Sequence, residues 1–325
     1  MKTDTRERII TILTEKGRIT AKELVNLLNI SRQGLFLQIA KLMRTGQIAK
    51  VGKPPRVYYY VPETKEAHQE FVLDKRTIDF VNERYLYVTP LGEKLEGLRG
   101  FEEWCSRTNQ QVVKTANEYV LTQRKYDKWL KGGTISGMDK LRKTFPKVYL
   151  DELYYLGFYS IERFGKTKLG QLLLYAKQNQ SREIIRELIV NTRDRVVHFI
   201  KKYNITGVGF IPPTVRREVQ LMKELESDLG LSLPTLKIYK IRSELMVPQK
   251  TLSSLVDRVE NAAKTIIVES HGEQDSVLLI DDAVGSGATL NETARQIRDK
   301  MRVKGKIIGL AIVGSYKGYD VISEV

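Results

Sequence analysis

Cysteine is nearly absent from this chain: Cys105 stands alone among 325 residues. A single thiol cannot close an internal disulfide, which excludes the cross-linked scaffold of small secreted domains. Histidine is almost as scarce, with three residues, and no Cys/His grouping has the spacing of a zinc site. Long apolar runs are missing too. The longest are strand-length, such as Val277-Leu278-Leu279-Ile280, far short of the roughly 20 residues that cross a bilayer. The opening MKTDTRERII lacks the apolar centre of a signal peptide. No internal repeat or low-complexity tract stands out. The expectation is a cytoplasmic protein with no membrane partner.

What is abundant is positive charge, +15 overall against an ordinary apolar content of 42%. The length suggests two or three domains with sizeable cores. The excess is uneven: residues 1–62 hold twelve Lys/Arg and four Asp/Glu, a net +8 in a fifth of the chain. A concentrated basic region is the electrostatic footprint of a polyanion partner.

The pattern in that region is specific. Residues 4–16 read as a helix with Asp4 as N-cap and Ile9, Ile10 and Leu13 on one face. Gly17 ends it. Thr20 then caps a second helix, with Glu23 as its capping-box partner and Leu24, Leu27 and Leu28 among its apolar residues. Ser31 caps a third, with Leu35, Ile39, Leu42 and Met43 at helical spacing and Gly46 as its stop. Two alternating stretches follow, 47–51 and 56–61, joined by the basic turn Gly52-Lys53-Pro54-Pro55. Helix, helix, turn, helix, basic hairpin resembles the winged helix-turn-helix domains of bacterial transcription regulators. That resemblance implies double-stranded DNA as partner, with the third helix in the major groove and the hairpin against phosphates. Arg32, Gln33, Gln38 and Lys41 lie off the apolar stripe and would face DNA, with Lys50, Lys53 and Arg56 on the wing. Phe36 falls among the exposed positions, either as a core residue or as a face toward an adjoining domain.

Residues 64–150 read as a helical connector with a dimerisation surface. Val88-Thr89-Pro90-Leu91-Gly92 looks like a break that starts a helix, and 101–130 has helical spacing through Phe101, Trp104, Val112, Val113 and Val120. Cys105 reads as a small packing residue.

The chemistry concentrates near the C-terminus. The buried strand ending at Ile280 runs into Asp281-Asp282-Ala283-Val284-Gly285-Ser286-Gly287-Ala288-Thr289, then a helix bearing Leu290, Ala294, Ile297 and Met301, then the strand 307–314. This is a βαβ unit, hence a parallel sheet. Gly285 and Gly287 are expected to let the backbone turn tightly so that successive N–H groups and the helix start form an anion nest. Ser286 and Thr289 add hydroxyl donors. Adjacent carboxylates suit vicinal sugar hydroxyls or a hydrated Mg²⁺. No Gly-Lys-Ser/Thr follows, which excludes a Walker loop, and no GxGxxG is present.

This stretch closely resembles the phosphoribosyl-diphosphate (PRPP) motif of type I phosphoribosyltransferases. Upstream, LLLYAKQNQ (172–180), 208–217 and the series Pro248-Gln249…Leu252-Ser253…Arg258…Asn261 resemble the competence-associated (ComF-type) members, over about residues 155–325. The resemblance implies that Asp281 and Asp282 hold ribose hydroxyls and that residues 285–289 hold the 5′-phosphate. It implies a pyrophosphate loop containing Pro213, Thr214, Arg216 and Arg217, and a mobile loop containing Lys240, Arg242, Gln249 and Lys250. It also implies Mg²⁺ arriving with PRPP, with no direct protein ligand. Departures are visible: the family's Arg-Gly-Phe-Asn segment is Arg217-Glu218-Val219-Gln220 here, and Gly285 stands where purine-salvage members carry a catalytic Asp. No catalytic residue is assigned.

The expected architecture is α/β: a winged helix-turn-helix domain (1–63), a helical connector (64–150) and a parallel-sheet phosphoribosyltransferase-type domain (151–325). The expected function is a homodimeric DNA-binding regulator that senses PRPP or a nucleotide. An active phosphoribosyltransferase using an unknown nitrogen acceptor is the alternative.

Overall fold

The computed structural model describes residues 4–62, 73–215, 217–241, 252, 254–270 and 272–315. The chain divides into two compact units, Met1–Val72 and Leu73–Val325. Among the described residues no helix is long and apolar enough to cross a membrane.

The first unit follows its caps. Helix α1 (Thr5–Lys16) begins where Asp4 accepts a hydrogen bond from the Arg6 amide at 3.2 Å. Strand β1 (Ile19–Thr20) leads into α2 (Ala21–Leu28) through a full capping box: the Glu23 amide donates to Thr20 Oγ1 at 3.3 Å and the Thr20 amide to Glu23 Oε2 at 2.7 Å. Asn29, with φ +53°, turns the chain, and Ser31 caps α3 (Arg32–Arg44) by accepting from the Gly34 amide at 3.1 Å. Strands β2 (Ala49–Lys53) and β3 (Arg56–Tyr60) form an antiparallel hairpin, with β1 on the other side of β3. Ile9, Leu13, Leu24, Leu28, Leu35, Ile39, Leu42, Ile48 and Tyr59 close a single core. The elements predicted from spacing are all present.

The second unit opens with α4 (Lys75–Arg84), the hairpin β4 (Leu86–Val88) and β5 (Lys94–Glu96), α5 (Gly97–Arg107) and α6 (Val112–Asp127). Next come β6 (Ile135–Ser136), α7 (Met138–Thr144), β7 (Glu152–Phe158), and the small hairpin β8 (Ser160–Ile161) and β9 (Gly165–Lys166). Then follow α8 (Lys168–Asn179), α9 (Arg182–Lys202), β10 (Gly207–Phe210), α10 (Leu221–Leu229), β11 (Ile238–Lys240), α11 (Leu255–Thr265) and β12 (Ile266–Val268). The end is β13 (Glu273–Gln274), β14 (Val277–Val284), α12 (Ala288–Lys300), β15 (Arg302–Val303) and β16 (Ile307–Gly314).

A five-stranded sheet in the order β10-β14-β16-β7-β6 organises the unit. Its first four strands run parallel and β6 is an antiparallel edge. Every residue of β16 is buried, as expected of a strand covered on both faces. The predicted βαβ unit is β14-α12-β16, with neighbouring parallel strands joined by a helix. Buried polar residues of α12 fix what surrounds it. Gln296 donates to the Ile266 carbonyl at 2.7 Å and accepts from the Val268 amide at 3.0 Å, holding β12; Asn291 accepts from the Tyr149 amide at 2.7 Å.

The middle segment departs from the sequence reading. Residues 73–150 belong to the same compact unit as the sheet. Tyr85 packs edge-on against Phe101 and Tyr119, and Tyr119 packs on Phe164, while β6 extends the sheet beside β7. The helix expected across 101–130 is broken between Arg107 and Val112. There Thr108 Oγ1 donates to the Trp104 carbonyl at 2.8 Å, Gln110 N to the Cys105 carbonyl at 2.8 Å, and Asn109 sits at φ +55°. These short polar groups outcompete the helical ladder although the apolar spacing continues. Thr89–Gly92 is the turn of the β4–β5 hairpin, not a helix start; the Gly92 amide donates to the Thr89 carbonyl at 2.8 Å. Cys105 is fully buried, and burial pushes its thiol up to about 12, which makes it an inert packing residue.

Candidate functional site

At the carboxyl ends of β10 and β14 lies a cleft of about 210 Å³, where open parallel sheets commonly bind ligands. Strand β14 remains a strand through Val284, so Asp281 and Asp282 sit on its final residues instead of in a loop. The Asp282 amide donates to Asp281 Oδ1 at 2.8 Å. Burial and the adjacent Asp282 carboxylate push the Asp281 carboxyl up to about 7.

Two lysines answer this pair. Lys177 Nζ, near the end of α8, is 2.9 Å from Asp282 Oδ2, with both side chains less than one-fifth exposed. Lys240 Nζ, at the end of β11, donates to Thr214 Oγ1 at 2.6 Å. Burial lowers the Lys240 pKa, a shift that the fields of Asp281 and Asp282 oppose.

After Val284 the chain bends through 285–287 into α12. Gly287 is at φ +84°, a backbone conformation that favours glycine, and a Cβ there would meet Leu141 Cδ1 at 2.6 Å, so that side chain would have to shift. Gly285 differs from its expected role. It is not among the positive-φ residues, and the nearest atom to a Cβ at this position would be Arg258 Nη1 at 4.0 Å. Buried Ser286 accepts from the Ala288 amide at 3.3 Å. Ala288, Thr289 and Leu290, in the first turn of α12, line the cleft, and a helix start leaves its first amides without intrahelical partners.

Of the sequence-derived ligand residues, Pro213, Thr214, Arg217, Lys240 and all of 281–289 line this one cleft. Arg216, Arg242, Gln249 and Lys250 lie outside the described residues. The Arg217 guanidinium lines the cleft and also donates to the Lys177 carbonyl, and the Val219 amide donates to Gln180 Oε1 at 3.2 Å. Those bonds brace Arg217 and Val219 against the end of α8. Two residues were missed as site residues. Lys177 lay inside a quoted motif. Arg258, on α11, is 6% exposed, donates from Nε to the Leu252 carbonyl at 2.9 Å and lines the cleft beside the bend. A lone lysine or arginine in an amphipathic helix gives no sign of facing a ligand. Ile211, Val215, Val219 and Met222 add an apolar wall that periodicity could not assign.

In the first unit, Arg32, Gln33 and Lys41 are exposed on α3, and Lys50, Lys53 and Arg56 are exposed on the hairpin. Gln38 is half-buried, on the flank between the open face and the core stripe of Leu35, Ile39 and Leu42. The open face is centred on residues spaced i, i+4, i+7, i+11: Gln33, Leu37, Ala40 and Arg44 are all exposed.

Residues 2–49 match the family of winged helix-turn-helix DNA-binding domains, so the N-terminal unit is a winged helix-turn-helix domain. No curated protein matches the chain. Among solved structures, an adenine phosphoribosyltransferase from Leishmania tarentolae is similar at 17% identity over 48% of this chain and 92% of that one, with a TM-score of 0.25. A superposition that loose establishes no residue correspondence.

Proposed function

We propose that the chain is a transcription regulator that binds DNA through its winged helix and senses PRPP, or a nucleotide sharing its ribose 5-phosphate, in the cleft of the second unit. The supporting observation is the juxtaposition at the end of β14. Two carboxylates able to accept from vicinal hydroxyls lie next to a bend whose helix-start amides suit a phosphate. The basic face of α3 and its hairpin supports the DNA half.

The cleft suits a phosphorylated sugar better than a free base. Asp281 and Asp282 would take the 2′- and 3′-hydroxyls, and the amides of 286–289 the 5′-phosphate. Arg258 and Lys240 would supply positive charge toward phosphate oxygens. Mg²⁺ accompanying the diphosphate would neutralise part of its charge, and the acid pair fits a hydrated ion held chiefly by the ligand.

A second reading, an active phosphoribosyltransferase, draws on the perturbed titration of Asp281 and Lys240 in the same cleft, since such groups concentrate where chemistry occurs. Against it, Gly285 offers no side chain where purine-salvage members carry an acid, and no general base is visible in its place.

Calorimetric titration with PRPP and Mg²⁺ tests the sensing half. Saturable heat is expected from the native chain and none from Asp281→Asn/Asp282→Asn; no heat from the native chain defeats the reading. Release of pyrophosphate with any nitrogenous base would favour the enzyme. For DNA, gel-shift affinity that falls steeply with salt is expected, and no binding at low salt removes the regulator.

A further inference from the structure

The open face of α3 is not the polar surface that a phosphate-binding helix needs. Phe36 and Leu37 are 40% and 64% exposed, on the first turns of the helix. Both stand clear of the unit's core, which is built from the opposite stripe of Leu35, Ile39 and Leu42. Arg32 lies beside Phe36, its guanidinium carbon 5.8 Å from the ring centroid. Arg32, Gln33, Phe36 and Leu37 together line a shallow surface depression. Apart from Ala40, the other exposed side chains of the helix are polar or cationic, among them Gln33, Lys41 and Arg44, and the hairpin exposes Lys50, Lys53 and Arg56. Exposed phenylalanine and leucine side by side gain nothing from water, so an apolar partner surface framed by negative charge is the complementary occupant.

One polyanion offers that combination inside a groove sized for a helix. In the major groove the 5-methyl group of thymine is the apolar feature on a base edge, flanked by phosphates, and aromatic or aliphatic side chains contact it. We infer that Phe36 and Leu37 read thymine methyl groups, so that the DNA site contains thymines under the first two turns of α3, while Arg32 and Gln33 take neighbouring base edges. The inference rests on the DNA-binding reading above and adds to it what the helix recognises. It differs from recognition by hydrogen bonds alone because its signal is a methyl group, removable without altering a single donor or acceptor.

The experiment uses the full chain. A preferred duplex is first selected from a random pool, and each thymine in it is then replaced singly by deoxyuridine, which deletes only the methyl. Affinity is expected to fall about fourfold at one or more positions, the transfer free energy of one buried carbon converted to a ratio. Phe36→Ala and Leu37→Ala are expected to weaken binding to the thymine duplex and to bind thymine and uracil duplexes equally at the matching position. Both residues are solvent-facing, so the variants should melt with the native protein. A scan in which every substitution leaves affinity within twofold overturns methyl readout while leaving DNA binding intact. Persistence of thymine preference in the double variant overturns the assignment to these residues. Failure to select any duplex, even at low salt, removes both the inference and the reading beneath it. Sedimentation supplies the remaining outcome: if Phe36→Ala/Leu37→Ala turns an oligomer into a monomer, the face joins copies of this chain and the inference is wrong.

Discussion

The two units handle positive charge in opposite ways. On α3 and its hairpin the cations stand in solvent and, among the described residues, form no ion pair. In the cleft of the second unit Lys177, Lys240 and Arg258 are largely withdrawn from water, and Lys177 is bonded to Asp282. Interactions of exposed charge are screened by dissolved ions, whereas those of charge withdrawn from water are screened much less. The first arrangement suits a long uniform polyanion met by diffusion. The second suits a small ligand recognised atom by atom.

Salt should separate the units most sharply. With about six phosphate contacts, DNA affinity should fall roughly 10³-fold between 50 and 200 mM salt, while PRPP affinity at fixed Mg²⁺ should change less than about tenfold. Equal slopes for both ligands would erase the contrast. Next in size, Asp281→Asn/Asp282→Asn should reduce PRPP affinity at least about 100-fold, each lost charged acceptor being worth about 1.5–3 kcal/mol, with DNA affinity in the absence of ligand unchanged. Calorimetry and gel shift on the same preparation check both halves.

The acids also carry a conformational cost that the winged helix lacks. The Asp281 carboxyl lies near 7 when folded against its ordinary 3.8. The folded chain therefore keeps a proton that the unfolded chain releases, and stability falls as pH rises from about 4 to 7. Asp281→Asn alone should remove that slope and raise the stability of the second unit at pH 8 by about 2–4 kcal/mol, with little change at pH 4. A melting temperature that is unaltered at pH 8 would show that Lys177 and Lys240 already compensate the charge.

Gly287→Ala should cost about 1–3 kcal/mol, through its left-handed backbone and the Leu141 contact. Gly285→Ala should stay within about 0.5 kcal/mol; denaturant melts distinguish them. Smallest of all, Thr20→Ala should cost the winged helix about 1 kcal/mol by removing its capping box, visible in the first unit's transition alone.

Legibility divided along the same line. The first unit could be read almost to the residue because its signals are local: Asp4, Thr20 and Ser31 each cap the helix that follows within three residues. The β14-α12-β16 unit was legible for the same reason, its acids and glycines lying in one short run. What could not be read depends on chain closure. Lys177 meets Asp282 across 105 residues, and Arg217 is engaged by a carbonyl from α8. Helical spacing continued unbroken through Thr108–Gln110, where side-chain bonds to the backbone end α5. Gln38 looked surface-facing because it avoids the apolar stripe, yet the flank of a helix is shared ground between core and solvent.

The space beside Gly285 carries a last consequence. Among the described residues, a Cβ added to that backbone would meet only the Arg258 guanidinium, at 4.0 Å. A carboxylate could be installed there without disturbing the bend, and Arg258 would lie on its side of the cleft. If the cleft holds a sugar phosphate as proposed, Gly285→Asp is the single substitution that would set a new carboxylate beside the bound ligand.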